Sequence, residues 1–182
     1  PGKFAPIHTI HKPDVPMPAR IAIEGRDHLL FSHAGDLENN SDPTGMPMLP
    51  VDLIMLGVPE GASLHVELLN PTFETLEQQD VAPFPTYVTN DKDEQVAEYK
   101  KSAPAYDRSD LYPSRQFVVD PPTNYRDQQI ASIRLSPYQY NPVTKSLRRL
   151  VSGTLKISLR SSDGRSMPIP PAARGVSDPL FE

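Results

Sequence analysis

Apolar and polar residues alternate along much of this chain. Ala131, Ile133 and Leu135 are separated by Ser132 and Arg134, and Leu155, Ile157 and Leu159 by Lys156 and Ser158. A period of two is the mark of a half-buried strand. Val151 continues the apolar set after the turn, while Arg148 and Ser152 continue the polar one. Between the two runs lies Asn141-Pro142. An Asn side chain can bond the backbone two residues on, and Pro presets φ at the second turn position. The pattern predicts a hairpin.

The same period recurs upstream. Ile21 and Ile23 alternate with polar or small residues, Gly25-Arg26-Asp27 reads as a turn, and His28 to His33 as a returning strand. Val51 to Val58 is a dense apolar run and predicts a central strand. Glu60-Gly61 is a turn signal, and Ala62 to Leu69 alternates with Leu64, Val66 and Leu68 inward. Thr72 to Gln78 reads as a separate strand, with Phe73 and Leu76 on opposite faces. Gln116 to Val119 and Gln128 to Pro137 read as strands, and Lys92 to Lys101 as one short helix with sparse apolar positions.

Eight or nine short strands with turns between them predict an all-β fold, an antiparallel β-sandwich of jelly-roll type. Its expected span is 19–160. Residues 1–18 read as an extended N-terminal segment and 161–182 as a linker. One stretch breaks the rhythm. Residues 81–113 carry Pro83, Pro85, Pro104 and Pro113 around the acidic centre Asn90-Asp-Lys-Asp-Glu-Gln95. A loop this long inside a compact domain is usually functional.

Composition narrows the function. Twenty-two prolines in 182 residues far exceed the ordinary share of about 5% and leave little room for long helices. A net charge of −5 with scattered Lys and Arg argues against nucleic acid, which needs a clustered basic face. There is no cysteine, so thiol nucleophiles, disulfides and thiolate metal sites are excluded. No apolar run approaches the roughly 20 residues of a membrane-spanning helix. The opening Pro1-Gly-Lys is not a charged-then-apolar leader, so the expectation is a segment whose leader is already removed.

Candidate chemistry is thin. His8 and His11 sit in a proline-rich stretch without the further fixed ligands that a metal needs. His65 falls on the polar face of its strand, and His28 and His33 fall on opposite faces of theirs. Asp91/Asp93 and Asp107/Asp110 fit no calcium-loop spacing, and Asn39, Asn40 and Asp42 fit it weakly. Solvated loop charge accounts for all of them. Asn39-Asn40-Ser41 is a glycosylation sequon, relevant in a eukaryotic secreted protein. Tyr138 and Tyr140 share a face that could stack on a sugar or pack the hairpin. The residues call for no catalytic centre, cofactor or metal; binding remains.

Four segments, taken in order, carry a resemblance. They are Met46-Pro-Met-Leu-Pro50; Val58-Pro-Glu-Gly-Ala62 with Leu64, Val66 and Leu68; Tyr106-Asp-Arg-Ser-Asp-Leu-Tyr-Pro113; and Leu135 to Leu147. Together they resemble the N-terminal prodomain of gingipain-type cysteine peptidases, the caspase-like C25 family, over about Gly45 to Leu159. The resemblance implies a β-sandwich that binds the caspase-like peptidase domain of its own polypeptide, inhibits it and assists its folding. It implies a secreted or cell-surface bacterial protein. That peptidase works through a Cys–His pair, which this chain cannot supply. The resemblance also implies that a prodomain loop crosses the active-site cleft and places a basic side chain in the S1 pocket of Arg- or Lys-specific members.

Counting inward from Ala82-Pro83 toward Tyr112-Pro113 brings that position to Asn90–Lys92, with the register offset by about one residue. Lys92 is the basic residue there. Asp91 or Asp93 would serve instead against a peptidase that is not basic-specific. The inhibitory-loop candidates are therefore Asn90, Asp91, Lys92 and Asp93. The resemblance implies that 161–182 is a linker toward a missing peptidase domain. Arg165 and Arg174 read as exposed linker positions that a basic-specific peptidase could cut, and Asp178-Pro-Leu-Phe-Glu182 resembles the start of the piece before the family's junction. Two other readings stay open: a retained docking domain of a C25-like cell-surface sortase, and a stand-alone extracellular adhesion or carbohydrate-binding sandwich.

Overall fold

A computed structural model describes residues 17–32, 34–35, 37, 43–126, 128–161 and 166–167. His8, His11, His33, Asn39, Asn40, Asp42, Arg165, Arg174 and Asp178–Glu182 lie outside the described residues, as do most of 1–18 and 161–182. The strands are β1 (Ala19–Ile23), β2 (Arg26–Leu30), β3 (Asp52–Val58), β4 (Ala62–Leu76), β5 (Thr86–Thr89) and β6 (Gln95–Glu98). After the one-turn helix α1 (Ala103–Tyr106) come β7 (Phe117–Val119), β8 (Thr123–Tyr125), β9 (Gln128–Leu135), β10 (Tyr138–Asn141), β11 (Ser146–Ser161) and β12 (Ser166–Met167).

The fold is the antiparallel all-β sandwich that the alternation predicts. One sheet is built on β9, which pairs β3 on one side and β7 and β8 on the other. The second is built on β11, flanked along its length by β4 and elsewhere by β10 and β12. The inward faces meet residue by residue. Leu56 and Ile133 pack with Ile157, Val58 and Ala131 with Leu159, and Leu135 with Leu150 and Leu155. Leu64, Val66 and Leu68 of β4 join this core as their period requires.

The hairpin turn is where Asn141-Pro142 places it. Asn141 Oδ1 accepts the backbone N–H groups of Val143 and Thr144 at 3.1 and 3.0 Å. Its strands differ from expectation in one respect. β9 does not pair with β11; the chain crosses to the other sheet at Ser136-Pro137, and the short β10 makes the hairpin. Proline's missing donor favours such a break.

Other boundaries move for identifiable reasons. Thr72–Gln78 is not separate: β4 runs through Asn70-Pro71, with Asn70 at φ +48° and register shifts opposite Leu150–Thr154. Because of that irregularity Leu150 is buried where the alternation favours Val151. The first hairpin turns at Glu24-Gly25 (φ +50° and +74°), one residue before Arg26-Asp27, which belong to β2. β3 lies at its sheet's edge among the described strands rather than at the centre, so Leu53 and Met55 are more than half exposed. β8 carries no apolar alternation and was not legible.

A second apolar cluster sits apart from the sandwich interior. Leu29, Phe31, Leu49, Val81, Tyr112, Tyr138, Tyr140 and Leu147 form it, with Met46, Leu76 and Tyr106 packed against it. Phe31 and Tyr138 rings lie 4.8 Å apart. Tyr138 and Tyr140 are thus core residues rather than an exposed sugar platform. This cluster anchors the segment expected to be a loop.

Candidate functional site

Residues 81–113 are more ordered than their composition suggests. The expected helix over Lys92–Lys101 is absent. In its place β5 and β6 pair as an antiparallel hairpin, Thr86 opposite Glu98 through Thr89 opposite Gln95. Four-residue strands of mixed polarity give no clear period, and the Glu-Gln-Val-Ala-Glu run has helical propensity. What overrides it is a turn and two clamped feet.

The turn is built on Asn90. Its N–H donates to Glu94 O at 2.9 Å, and its Oδ1 accepts the N–H groups of Lys92 and Glu94, both at 2.9 Å. Asp93 N–H donates back to Asn90 O at 3.0 Å, and Asp93 adopts φ +58°, a left-handed position that Asp tolerates. Asn90, Asp91, Lys92 and Asp93 therefore come together at the hairpin tip. Asp91, Lys92, Asp93 and Glu94 are all exposed, and no residue from 84 to 104 is buried. The hairpin stands off the body, with Tyr87 67% exposed on one of its faces.

Its feet are fixed. Leu29 N–H donates to Asp80 O and Ala82 N–H to Leu29 O, at 2.7 and 2.9 Å. Met48 N–H then donates to Ala82 O and Phe84 N–H to Met46 O, so the Met46–Pro50 segment lines the first foot. On the second foot the Tyr106 hydroxyl donates to Val81 O at 2.9 Å, and Tyr112 and Tyr140 exchange backbone hydrogen bonds at 2.7 and 2.8 Å. Gly45 joins the two: its N–H donates to Phe84 O, and its carbonyl accepts Ser102 N–H. The sequence does not signal this role for Gly45, because nothing near it in the chain reveals a partner 57 positions away.

Charge reinforces the base. Asp80 accepts Lys145 Nζ at 2.8 Å and lies 3.5 Å from Lys101 Nζ, which sits 4.9 Å from the Tyr106 ring. Burial alone would raise the Asp80 pKa; the Lys145 hydrogen bond and the charges of Lys101, Lys145 and His28 outweigh it and hold the carboxyl below its usual range. Burial pushes the Tyr140 phenol up to about 12 and moves Tyr106 the same way, so both stay neutral donors. At the edge of this base Asp110 pairs with Arg108 at 2.6 Å. Among the described residues no group of three His, Asp or Glu side chains could hold a metal ion, and no helix is long and apolar enough to cross a membrane.

The Propeptide_C25 family model matches residues 32–167, from the second apolar cluster through both sheets to β12. The chain belongs to the C25 propeptide family. Gingipain R1 of Porphyromonas gingivalis is 27% identical over 128 residues, covering 70% of this C25 propeptide and 13% of that protein. Gingipain R2 of the same species is 26% identical over 129 residues, covering 70% and 17%. The chain thus spans a small part of these relatives. Among solved structures, the complex of P. gingivalis RgpB pro- and mature domains matches with a TM-score of 0.66 at 18% identity, over 90% of this chain and 81% of that one. A structure bearing on the zymogenic latency of gingipain K matches with a TM-score of 0.60 at 17% identity, over 79% and 80%. At these identities the structural matches establish the propeptide's fold.

Proposed function

We propose that this chain is the inhibitory and folding-assisting prodomain of a secreted or cell-surface C25-type cysteine peptidase. It covers the active-site cleft of the caspase-like domain of the same polypeptide. The sandwich is the body, residues 161–182 lead toward the peptidase, and the β5–β6 hairpin enters the cleft. Lys92 occupies the pocket for a basic side chain, flanked by Asn90, Asp91 and Asp93. The observation that carries this reading is the hairpin itself, an exposed arm with a single cation at its tip and both feet fixed to a buried aromatic cluster.

The physics suits inhibition. An arm closed by its own turn and held at both ends loses little conformational entropy on docking. A tether in one polypeptide gives an effective concentration of about the millimolar range. The long Lys stem and point charge fit a deep acidic pocket. The test is inhibition in trans of the mature peptidase domain by wild type and Lys92→Ala. Loss of a buried anchor costs at least about 2 kcal/mol, or about thirtyfold in the inhibition constant. An unchanged constant refutes the Lys92 assignment, and absence of inhibition by wild type refutes the prodomain reading as a whole.

A further inference from the structure

We infer that Asn90 is a positioning residue that lets the hairpin display Lys92 while shielding the Lys92–Asp93 peptide bond from cleavage. This rests on the reading that Lys92 enters a pocket for basic side chains. A peptidase that recognises such a residue is expected to cut after it, so an inhibitor carrying the recognised side chain must withhold the bond.

The tip does this through one side chain. Five residues, 90–94, connect the last strand pair, Thr89 opposite Gln95. Within them the amides on both sides of the threatened bond are engaged internally. Lys92 N–H and Glu94 N–H donate to Asn90 Oδ1, and Asp93 N–H to Asn90 O. Asn90 Nδ2 also donates to Glu94 Oε2 at 3.0 Å, which fixes the amide's orientation. Peptidases take their substrates as extended chains, through backbone hydrogen bonds of strand type. Lys92 has spent the amide that such binding needs, and Asp93 at φ +58° turns the chain away from an extended path. The Lys92 side chain remains exposed. Recognition and cleavage are thereby separated, since misplacing a reacting bond by about 1 Å can cost about 100-fold in rate.

The experiment uses the full 182-residue chain and a lysine-specific endopeptidase as probe, with cleavage after Lys92 followed by mass spectrometry. A linear peptide of residues 86–98 is the unstructured reference. Wild type is expected to be cut after Lys92 about 100-fold more slowly than the peptide. Asn90→Ala removes two acceptor bonds and is expected to speed cleavage at least about tenfold. Asn90→Asp keeps the acceptor oxygen but turns the 3.0 Å contact with Glu94 Oε2 into a repulsion between carboxylates, so it is expected to be cut at a rate between those of wild type and Asn90→Ala. Amide hydrogen exchange on wild type gives a second readout, with Lys92 and Glu94 amides protected. Cleavage of wild type at the peptide's rate, no gain in Asn90→Ala, or unprotected amides would each overturn the role of Asn90. These outcomes are separable from those of the Lys92→Ala inhibition assay. A chain cut quickly but inhibitory through Lys92 sinks only the shielding; a resistant tip with Lys92→Ala as potent as wild type sinks only the plug.

Discussion

Ser102 donates its backbone N–H to the carbonyl of Gly45 at 3.0 Å, while the Gly45 N–H reaches Phe84 O at 2.9 Å. One residue on a separate segment thus bridges both feet of the β5–β6 hairpin. Only glycine suits the position. It has φ +80°, and a Cβ there would lie 3.0 Å from Ser102 Cβ and N and 3.1 Å from Lys100 O.

Gly45→Ala is therefore expected to destabilise the domain by about 1–3 kcal/mol. Urea unfolding measures the loss. Hydrogen exchange should place it at the feet, with amides of 86–98 exchanging faster while those of β9 and β11 do not. Uniform acceleration across the chain would show that Gly45 acts on the whole fold instead.

The sandwich was legible because its determinants are local. Leu64, Val66 and Leu68, and likewise Leu155, Ile157 and Leu159, announce their faces by period alone, and Asn141 closes its turn with its own side chain. The hairpin arm was legible only as a place. Thr86–Thr89 and Gln95–Glu98 are short and exposed, and their pairing depends on Asn90 at one end and Gly45 at the other. The resemblance pointed to Lys92 within 81–113 as a candidate; its place at the tip of an exposed hairpin is a tertiary property. β3 misled for a related reason. A continuous apolar run promises burial on both sides, yet Leu53 and Met55 face outward from an edge strand.

That contrast gives a stability test. Leu155 is fully buried against Leu135 and Leu150, so Leu155→Ala is expected to cost about 2–5 kcal/mol. Met55→Ala, on the exposed face, should stay within about 0.5 kcal/mol of wild type. Chemical unfolding of both variants measures the difference. Similar losses at the two sites would contradict the assignment of faces in the sandwich.

Acid should loosen the arm's base. Asp80 is held below its usual pKa by Lys145 and Lys101 against the opposing effect of burial. Asp120 is lowered in the same way, with burial opposing and hydrogen bonds from Arg134 and Ser132 prevailing. A depressed folded pKa contributes stability that is present above the unfolded value, about 3.9 for Asp, and is lost as pH falls through the folded one. Unfolding free energy should accordingly drop as pH falls below about 4. Asp80→Asn should lower stability at pH 7 and flatten part of that slope. An unaltered slope in Asp80→Asn would remove Asp80 from the account.

The tip of the arm can be replaced without touching the core, since no residue from 84 to 104 is buried. Replacing 90–94 by Asn-Gly, which closes a two-residue hairpin turn, should leave the unfolding midpoint of the domain unchanged. The decisive measurement is the inhibition constant of this shortened chain against the C25 peptidase domain proposed as its partner, beside that of wild type. A loss of at least about 100-fold, the equivalent of about 2.7 kcal/mol, is expected from a domain that works through its tip. Equal inhibition by the two chains would contradict the claim that the hairpin tip is what closes the cleft.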